Sequence, residues 1–558
     1  MKFEEILRPI LKASSFLRPV ALPFGCLLLL YVVLANSWVG EDSYITLRTV
    51  DNFLNGNGLR WNLHERVQAY THPLWMFLIS GFGFFHIPLY YSTLIASWIC
   101  VFGAIWFLIK EQANLRIEEF DQKVSSAFLL LFLVGSRAFI DYSTSGLENP
   151  LSYLLLALLV REGNRTVSDA SPIQLMRFFF VISMAYLNRQ DTVLFAVPYF
   201  LYILYKNANR QFLPRLLWTG FLGGLPIFLW TAFSLLYYGY PVPNTAYAKL
   251  NTDISSLDLL FQGLQYLKNT LLWDPVTAIG IVLPLGLHFW EKRKFDPQFT
   301  LPFIGAISYV IYTAKIGGDF MSGRFLAAPF FVSVLILSRY QYKQFPYIVG
   351  LLFLIFGLFN PRSNLYTTPD YRRHRYDGHI VDEKGSYIQN SNFFRSLSVK
   401  EFPDHGWAEI GRKYKKDISL ATSKSNTCIT LNVGYFGFFS GSDKRIIDIY
   451  ALTDPLLSKL PTSKPWRIGH FGRNIPEGYF ESVKSGENKI QDPDLKEYYE
   501  KLKKITESED LLAKDRLLAI WRENLGENRK LVDSYAGKLD PNWKIVPKGT
   551  GCGLGPGF

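Results

Sequence analysis

Apolar and polar positions fall in blocks along the first two-thirds of the chain. Apolar runs lie near 20–39, 73–109, 124–141, 150–160, 178–187, 191–205, 216–238, 275–290, 299–314, 326–338 and 345–359. A helix crossing a bilayer upright needs ~20 such residues, and several of these runs are shorter. They come in pairs interrupted by Gly, Pro and polar breaks, which predicts broken helices lining a cavity, where irregular backbone is tolerated at membrane depth. The first run, Val20 to Val39, contains no charged residue and predicts a first span. Lys2, Arg8, Lys12 and Arg18 precede it, and Leu34-Ala35-Asn36-Ser37 would pass as a cleavage site. The basic region is long and apolar runs continue downstream, so an uncleaved span is expected.

Lys and Arg between the runs set the orientation. Lys206, Arg210 and Arg215 share one loop, Lys292, Arg293 and Lys294 another, Arg339 and Lys343 a third; positive loops are cytoplasmic. Residues 39–72, 239–274 and 315–325 are then exported, together with everything after Asn360. Arg161 to Arg165 are cytoplasmic if 73–109 crosses once with an interfacial piece, or three times; one crossing gives about 11 spans. The expected fold is an α-helical polytopic membrane protein over 1–360 followed by a C-terminal soluble mixed α/β domain over 361–558. In that second part no run is long enough to span. Cys428 to Gly434 and Arg445 to Tyr450 read as short buried strands. Thr506 to Leu525 reads as a helix with Thr506 and Glu509 as its capping box. The sequon Asn164-Arg165-Thr166 falls on the cytoplasmic side and is discounted.

Composition agrees. Of 558 residues 49% are hydrophobic, 16% aromatic and only 19% charged, low for a soluble protein. The net charge of +12 is concentrated between apolar runs, which points to cytoplasmic loops and away from nucleic acid. Four cysteines are too few for a disulfide framework, but Cys428 and Cys552 can bridge if the second part is exported.

The polar residues that demand explanation gather on the exported side. The first exported loop opens with Glu41-Asp42 at the lip of a span, a costly position for two acids; the pair is either a helix cap or part of a site. The same loop holds Arg48 and closes with Glu65 to Trp75, including Tyr70 and His72. Four further breaks carry charge: Ser145 to Pro150 with Glu148; Asn188-Arg189-Gln190-Asp191; Tyr240 to Lys249 with Asn244 and Tyr247; and Gly317 to Arg324 with Asp319. Singly each reads as a turn or a local ion pair; together they predict one exported cavity. A carboxylate beside Lys and Arg suits transfer from a membrane-borne phosphate to a hydroxyl, with the acid taking the hydroxyl proton and the cations neutralising the departing phosphate. No P-loop or dinucleotide fingerprint is present, so a lipid-linked donor fits better than a soluble nucleotide.

Glu41-Asp42-Ser43-Tyr44-Ile45-Thr46-Leu47-Arg48, the Glu65 to Trp75 segment, Ser145-Gly146-Leu147-Glu148, Pro243 to Lys249 and Gly317 to Arg324 resemble motifs of integral-membrane GT-C glycosyltransferases. Asp448 to Pro455 and Gly469-His470-Phe471 extend the resemblance to the subgroup containing the mycobacterial terminal β-(1→2)-arabinofuranosyltransferase. The resemblance implies a multi-span GT-C fold in a bacterial inner membrane, with the active site and C-terminal domain on the periplasmic side. It implies an inverting glycosyltransferase that moves a hexose or pentose from a polyprenyl-phosphate donor to a glycan or glycolipid acceptor of the cell envelope. The catalytic acid would be Asp42 or its neighbour Glu41, with Asp42 favoured. Lys249, Arg324 and Arg189 would hold the donor phosphate. Arg48, Tyr70, His72, Glu148, Asn244, Tyr247, Asp319 and His470 are the expected substrate-binding residues, and Asp448 is a second candidate for acceptor contact. No cofactor is required, although Glu41, Asp42 and Glu148 could ligate a divalent cation. The chain departs from the family at Glu41, at Gln190 and at His72, so the sugar is left open. The competing reading is a flippase of lipid-linked sugars, which the clustering of polar breaks on one face and the lack of an inverted repeat disfavour. A scaffold role in envelope assembly is disfavoured by the intact Asp42, Lys249 and Arg324 set.

Overall fold

The computed structural model describes residues 20–113, 119–250, 252–290, 294–339, 363–365, 376–377, 379–540, 542 and 547–553. The basic N-terminal residues, the run at 345–359, Lys292, Arg293, Lys343 and the boundary at 360 lie outside the described residues.

Residues 21–337 are almost wholly helical. Two helices are long and apolar enough to cross a membrane, Leu89–Glu111 and Phe212–Tyr237. A third crossing is available where Ser256–Trp273 and Pro275–Phe289 meet at a 100° bend. The other apolar helices, such as Ala21–Ala35, Pro73–Gly83 and Ala327–Leu337, are shorter. The expected count of about 11 spans is therefore not reached by length and composition among the described residues. The run at 73–109 shows why: it divides at Phe84 to Pro88 into Pro73–Gly83 and the 25-residue helix Leu89–Ala113. Ser256–Trp273 also occupies what reads in sequence as an exported loop, because Asp258, Gln262 and Lys268 dilute its apolar pattern. Its break at Asp274 is built: the carboxylate accepts from Ala138 N at 2.8 Å and from Thr277 Oγ1 at 2.5 Å.

One large core joins these helices through Phe132, Phe139, Tyr153, Phe178, Tyr199 and Phe330. Phe212–Tyr237 lies along Pro172–Asn188 and leaves most of its own surface exposed. Asn164 is buried within Asn149–Ser168, accepting from Tyr199 OH at 3.0 Å.

Beyond residue 379 the chain folds back over the helix ends that carry the first loop. Thr427–Thr430 and Arg445–Asp448 form a parallel pair in register Cys428 with Ile446 and Thr430 with Asp448. Both strands are shorter than the sequence reading, since residues 431–434 leave the ladder to meet the first loop. Ile429 also bridges Gly551, and Cys428 is disulfide-bonded to Cys552. The expected helix over 506–525 is two helices. Pro493–Glu507 ends at Thr506, whose hydroxyl donates back to Leu502 O at 3.0 Å, and Lys514–Asn524 follows. Thr506 is thus in a last turn, and the capping box does not form.

This part is knitted into the helical one. Tyr44 stacks among Tyr435, Phe438 and Phe439, and Trp61 is buried with Tyr414 and Phe436. Asp382 accepts from Arg137 at 2.8 Å, and Lys384 is paired with Asp141 and donates to Asn36 at 2.9 Å. Two charged residues docked on the helical part leave the residue between them, Glu383, in the wall of the cavity described next.

Candidate active site

A cavity of about 400 Å³ lies where the first loop meets the folded-back segment. Glu41, Asp42 and Ile45 form one wall, Lys249 and Phe320 a second. The third comes from Glu383, Tyr387, His405, Trp407, Tyr450, Arg467 and His470.

Asp42 stands at the N-cap position of Ser43–Leu54, yet its side chain caps nothing. That separates the two readings of the acidic pair: the carboxylate faces the cavity instead. Glu41 is turned the other way. Its Oε1 accepts from the backbone N–H groups of Gly434 at 2.6 Å and Tyr435 at 3.2 Å. A Cβ on Gly434 would lie 2.0 Å from Glu41 O, so only glycine lets the two backbones approach this closely. Burial, then the charge of Asp42, push the Glu41 carboxyl well above its ordinary value. Burial also raises Asp42, but Lys249 and Arg324 pull it back. A hydrogen bond between the two side chains adds to the rise of Glu41 and opposes that of Asp42.

The cations are organised by Glu148. This buried carboxylate accepts from Arg189 Nη1 at 2.8 Å and from Arg324 Nη2 at 3.1 Å, and faces His72 Nδ1 at 3.3 Å. Arg189 is also held by Asp191 at 2.8 Å and stacks on Phe325 at 4.2 Å, while Arg324 reaches Asp319 at 3.4 Å. Glu148 and its neighbours thus fix two guanidiniums side by side. Lys249 differs: among the described residues its ammonium makes no ion pair within 4.0 Å and lines the cavity opposite Asp42. Crowding by the walls lowers it from its ordinary value, and Asp319 and Asp42 act in the other direction.

The other sequence-predicted residues separate into two groups. His470 lines the cavity, its ring against Phe320 and Tyr450; burial, then Arg467, push it down to about 3, so it is neutral. Asp319 and His72 support the cluster, His72 through Thr46 Oγ1 at 2.9 Å. Arg48, Tyr70, Asn244 and Tyr247 lie outside the cavity lining, as do Arg189 and Arg324. Arg48 spends its guanidinium on backbone carbonyls of Trp61, Gly437 and Lys444 and stacks on Trp61. Tyr70 bonds Tyr238 OH at 2.9 Å. Asn244 donates to Ala451, Leu452 and Asp454 carbonyls and accepts from Ser458. Tyr247 forms one side of a cage around Lys459. Asp448 is buried and organises its own loop, accepting from Tyr450, Leu452 and Thr453 N–H groups.

Glu383, Tyr387, His405, Trp407 and Arg467 are missed by the sequence reading, which contains no motif for them. Burial, then the Asp42 charge, raise Glu383 well above its ordinary value, with Arg467 opposing. Among the described residues no group of three His, Cys, Asp or Glu side chains is placed to hold a metal. Glu148 is engaged by arginines and Glu41 by backbone N–H groups.

No protein-family model matches the chain. It is 26% identical over 535 residues to a terminal beta-(1->2)-arabinofuranosyltransferase of Mycobacterium tuberculosis, covering 79% of this chain and 81% of the relative. The Corynebacterium glutamicum protein of the same name is 23% identical over 521 residues, covering 78% and 73%. The crystal structure of ArnT from Cupriavidus metallidurans bound to undecaprenyl phosphate superposes with a TM-score of 0.45 at 10% identity, over 81% of this chain and 93% of that one. The resemblance to the GT-C subgroup of terminal arabinofuranosyltransferases, first read from motifs, thus runs along most of this chain.

Proposed function

We propose that this protein is a membrane glycosyltransferase that moves a sugar from a polyprenyl-phosphate donor to a hydroxyl of a cell-envelope glycan or glycolipid. One observation carries the reading. The Asp42 carboxyl, which caps no helix, shares a cavity with the Lys249 ammonium, which makes no ion pair among the described residues, while Arg324 lies close enough to bias its charge. Its similarity to named arabinofuranosyltransferases over four-fifths of its length supports the same chemistry. The sugar is a pentose such as arabinofuranose, or a hexose.

Asp42 takes the proton of the acceptor hydroxyl as its oxygen attacks the anomeric carbon, and the bond to the phosphate oxygen breaks. Lys249 and the guanidinium of Arg324 take up the charge gathering on the departing polyprenyl phosphate, with Arg189 completing the positive wall. Glu41, holding a proton, donates to Asp42 and keeps it oriented. One base and a single displacement invert the anomeric configuration. The folded-back segment forms the acceptor side: Tyr387, His405 and Trp407 offer ring faces, and Glu383 and His470 offer polar atoms.

The folded-back segment, with residues 361–558 as an exported domain, and the cavity face the oxidising side of the membrane. The Cys428–Cys552 bridge supports that side, as do the Lys and Arg at the opposite helix ends. The 1–360 part is a multi-span GT-C-like membrane domain whose shorter helices complete the crossings.

The test is transfer by purified protein from polyprenyl-phosphate arabinofuranose or mannose to an envelope glycan, with the product anomer read by NMR. Transfer with inversion is expected. Movement of the lipid-linked sugar across vesicles without product would overturn the reading.

A further inference from the structure

The helix Lys514–Asn524 carries an apolar face that packs on nothing among the described residues. Leu517, Trp521 and Leu525 recur every four residues with Leu518 beside them, so they share one side. All four are exposed, Trp521 at 65%, and Leu512 just before the helix is exposed at 66%. Exposed clusters of this kind mark a partner. Lys514 and Arg522 are exposed beside the apolar residues.

The opposite face is fastened to one place. Arg516, fully buried, donates from Nη1 to Leu236 O at 2.7 Å and from Nη2 to Tyr237 O at 3.0 Å, the last carbonyls of Phe212–Tyr237. Asn524 donates to Gly239 O at 2.8 Å. Ile505 comes so close that a Cβ on Gly239 would meet it at 2.2 Å. Phe212–Tyr237 is one of the two helices able to cross a bilayer, and only 17% of its apolar stretch is buried. Its exposed apolar residues run through Trp218, Phe228 and Leu229 to Leu236, directly below the carbonyls that Arg516 holds.

We propose that Lys514–Asn524 is an interfacial membrane anchor, its Leu517, Leu518, Trp521 and Leu525 face embedded at the headgroup–acyl boundary of the bilayer that Phe212–Tyr237 crosses. Short helices with a Leu and Trp face and basic flanks lie in that plane. Trp prefers that depth, and Lys514 and Arg522 reach past the apolar stems to the headgroups. Because Arg516 ties the helix to a span's end, the height is fixed by geometry. The anchor ties the folded-back wall of the cavity to the membrane surface, and it does not depend on the sugar chemistry.

The test uses full-length protein in phosphatidylcholine–phosphatidylglycerol liposomes, with Cys26→Ser and Cys100→Ala removing the free thiols. A nitroxide is attached after Leu518→Cys, Trp521→Cys, Asp515→Cys or Leu229→Cys, and its collision with oxygen and with a water-soluble nickel chelate is measured. Labels at 518 and 521 should favour oxygen over nickel several-fold relative to 515, at a shallower depth than 229. A water-like ratio at 518 and 521 overturns the proposal. So does a label shielded from both reagents, which signals a protein partner, with dipolar broadening identifying a second copy. A water-exposed label at 229 overturns the membrane crossing itself and the anchor with it.

Discussion

Glu41 closes on the backbone N–H of Gly434 at 2.6 Å, across 393 residues of sequence. This contact ties Glu41 to the folded-back segment, and the proposed reaction gives the proton to Asp42, its neighbour in the cavity wall. The two acids, adjacent in sequence, should respond differently to amide substitution. Asp42→Asn should lower transfer by roughly 100-fold or more, the usual loss on removing a general base. Glu41→Gln keeps a donor toward Asp42 and should cost less than tenfold. The comparison is made by initial rates on protein of unchanged helical content.

Gly434→Ala tests the contact itself. The added methyl meets Glu41 O and cannot be relieved by a rotamer change. Overpacking of this kind costs about 1–3 kcal/mol, and the displaced loop carries Asp42 with it. Both melting temperature and kcat should fall.

Lys249→Met removes a cavity cation that makes no ion pair among the described residues. A hydrogen bond to a charged group contributes about 1.5–3 kcal/mol, so KM for the lipid donor should rise roughly 10- to 100-fold, while acceptor KM is little changed. Equal effects on both substrates would remove Lys249 from the donor side.

Glu148→Gln leaves Arg189 and Arg324 facing each other without their shared counter-charge. Removing one partner of a buried ion pair destabilises by about 3 kcal/mol or more. The change should appear as a lower melting temperature even without substrate, unlike that of Lys249→Met.

Asp454 gives a pH dependence of stability. Burial, then Glu65, raise it to about 7, against an ordinary carboxyl near ~3.9. Between these values the folded protein holds a proton that the unfolded chain has lost, so stability falls as pH rises from ~4 towards 7. Melting followed from pH 5 to 8 should show the decline, and Asp454→Asn should flatten it.

Much of the site was legible where one segment carries its own signal. Asp42 stands out because it ends a run without charges, and Lys249 and Arg324 because each sits in a polar break between apolar helices. Glu383 and Trp407 carry no such signal; Glu383 is placed by the pairing of Asp382 with Arg137 and Lys384 with Asp141, across more than 240 residues. The partners of Arg48 are hidden for the same reason. Arg48 lies six residues from Asp42, but its partners are carbonyls near 437 and 444, which no side-chain pattern reveals. The helix over 506–525 failed on a different ground. One helix closes at Glu507 and the next opens at Lys514, and the break between them carries no Gly or Pro to announce it.

The bridge between Ile429 and Gly551, locked by Cys428 and Cys552, sets the order in which this protein can be built. The proposed base, Asp42, leaves the ribosome some 500 residues before Gly551, which finally braces the wall opposite it. Through that interval a nascent chain holds Asp42, Lys249 and Arg324 but no closed pocket, and so has cations and a base without a place for an acceptor.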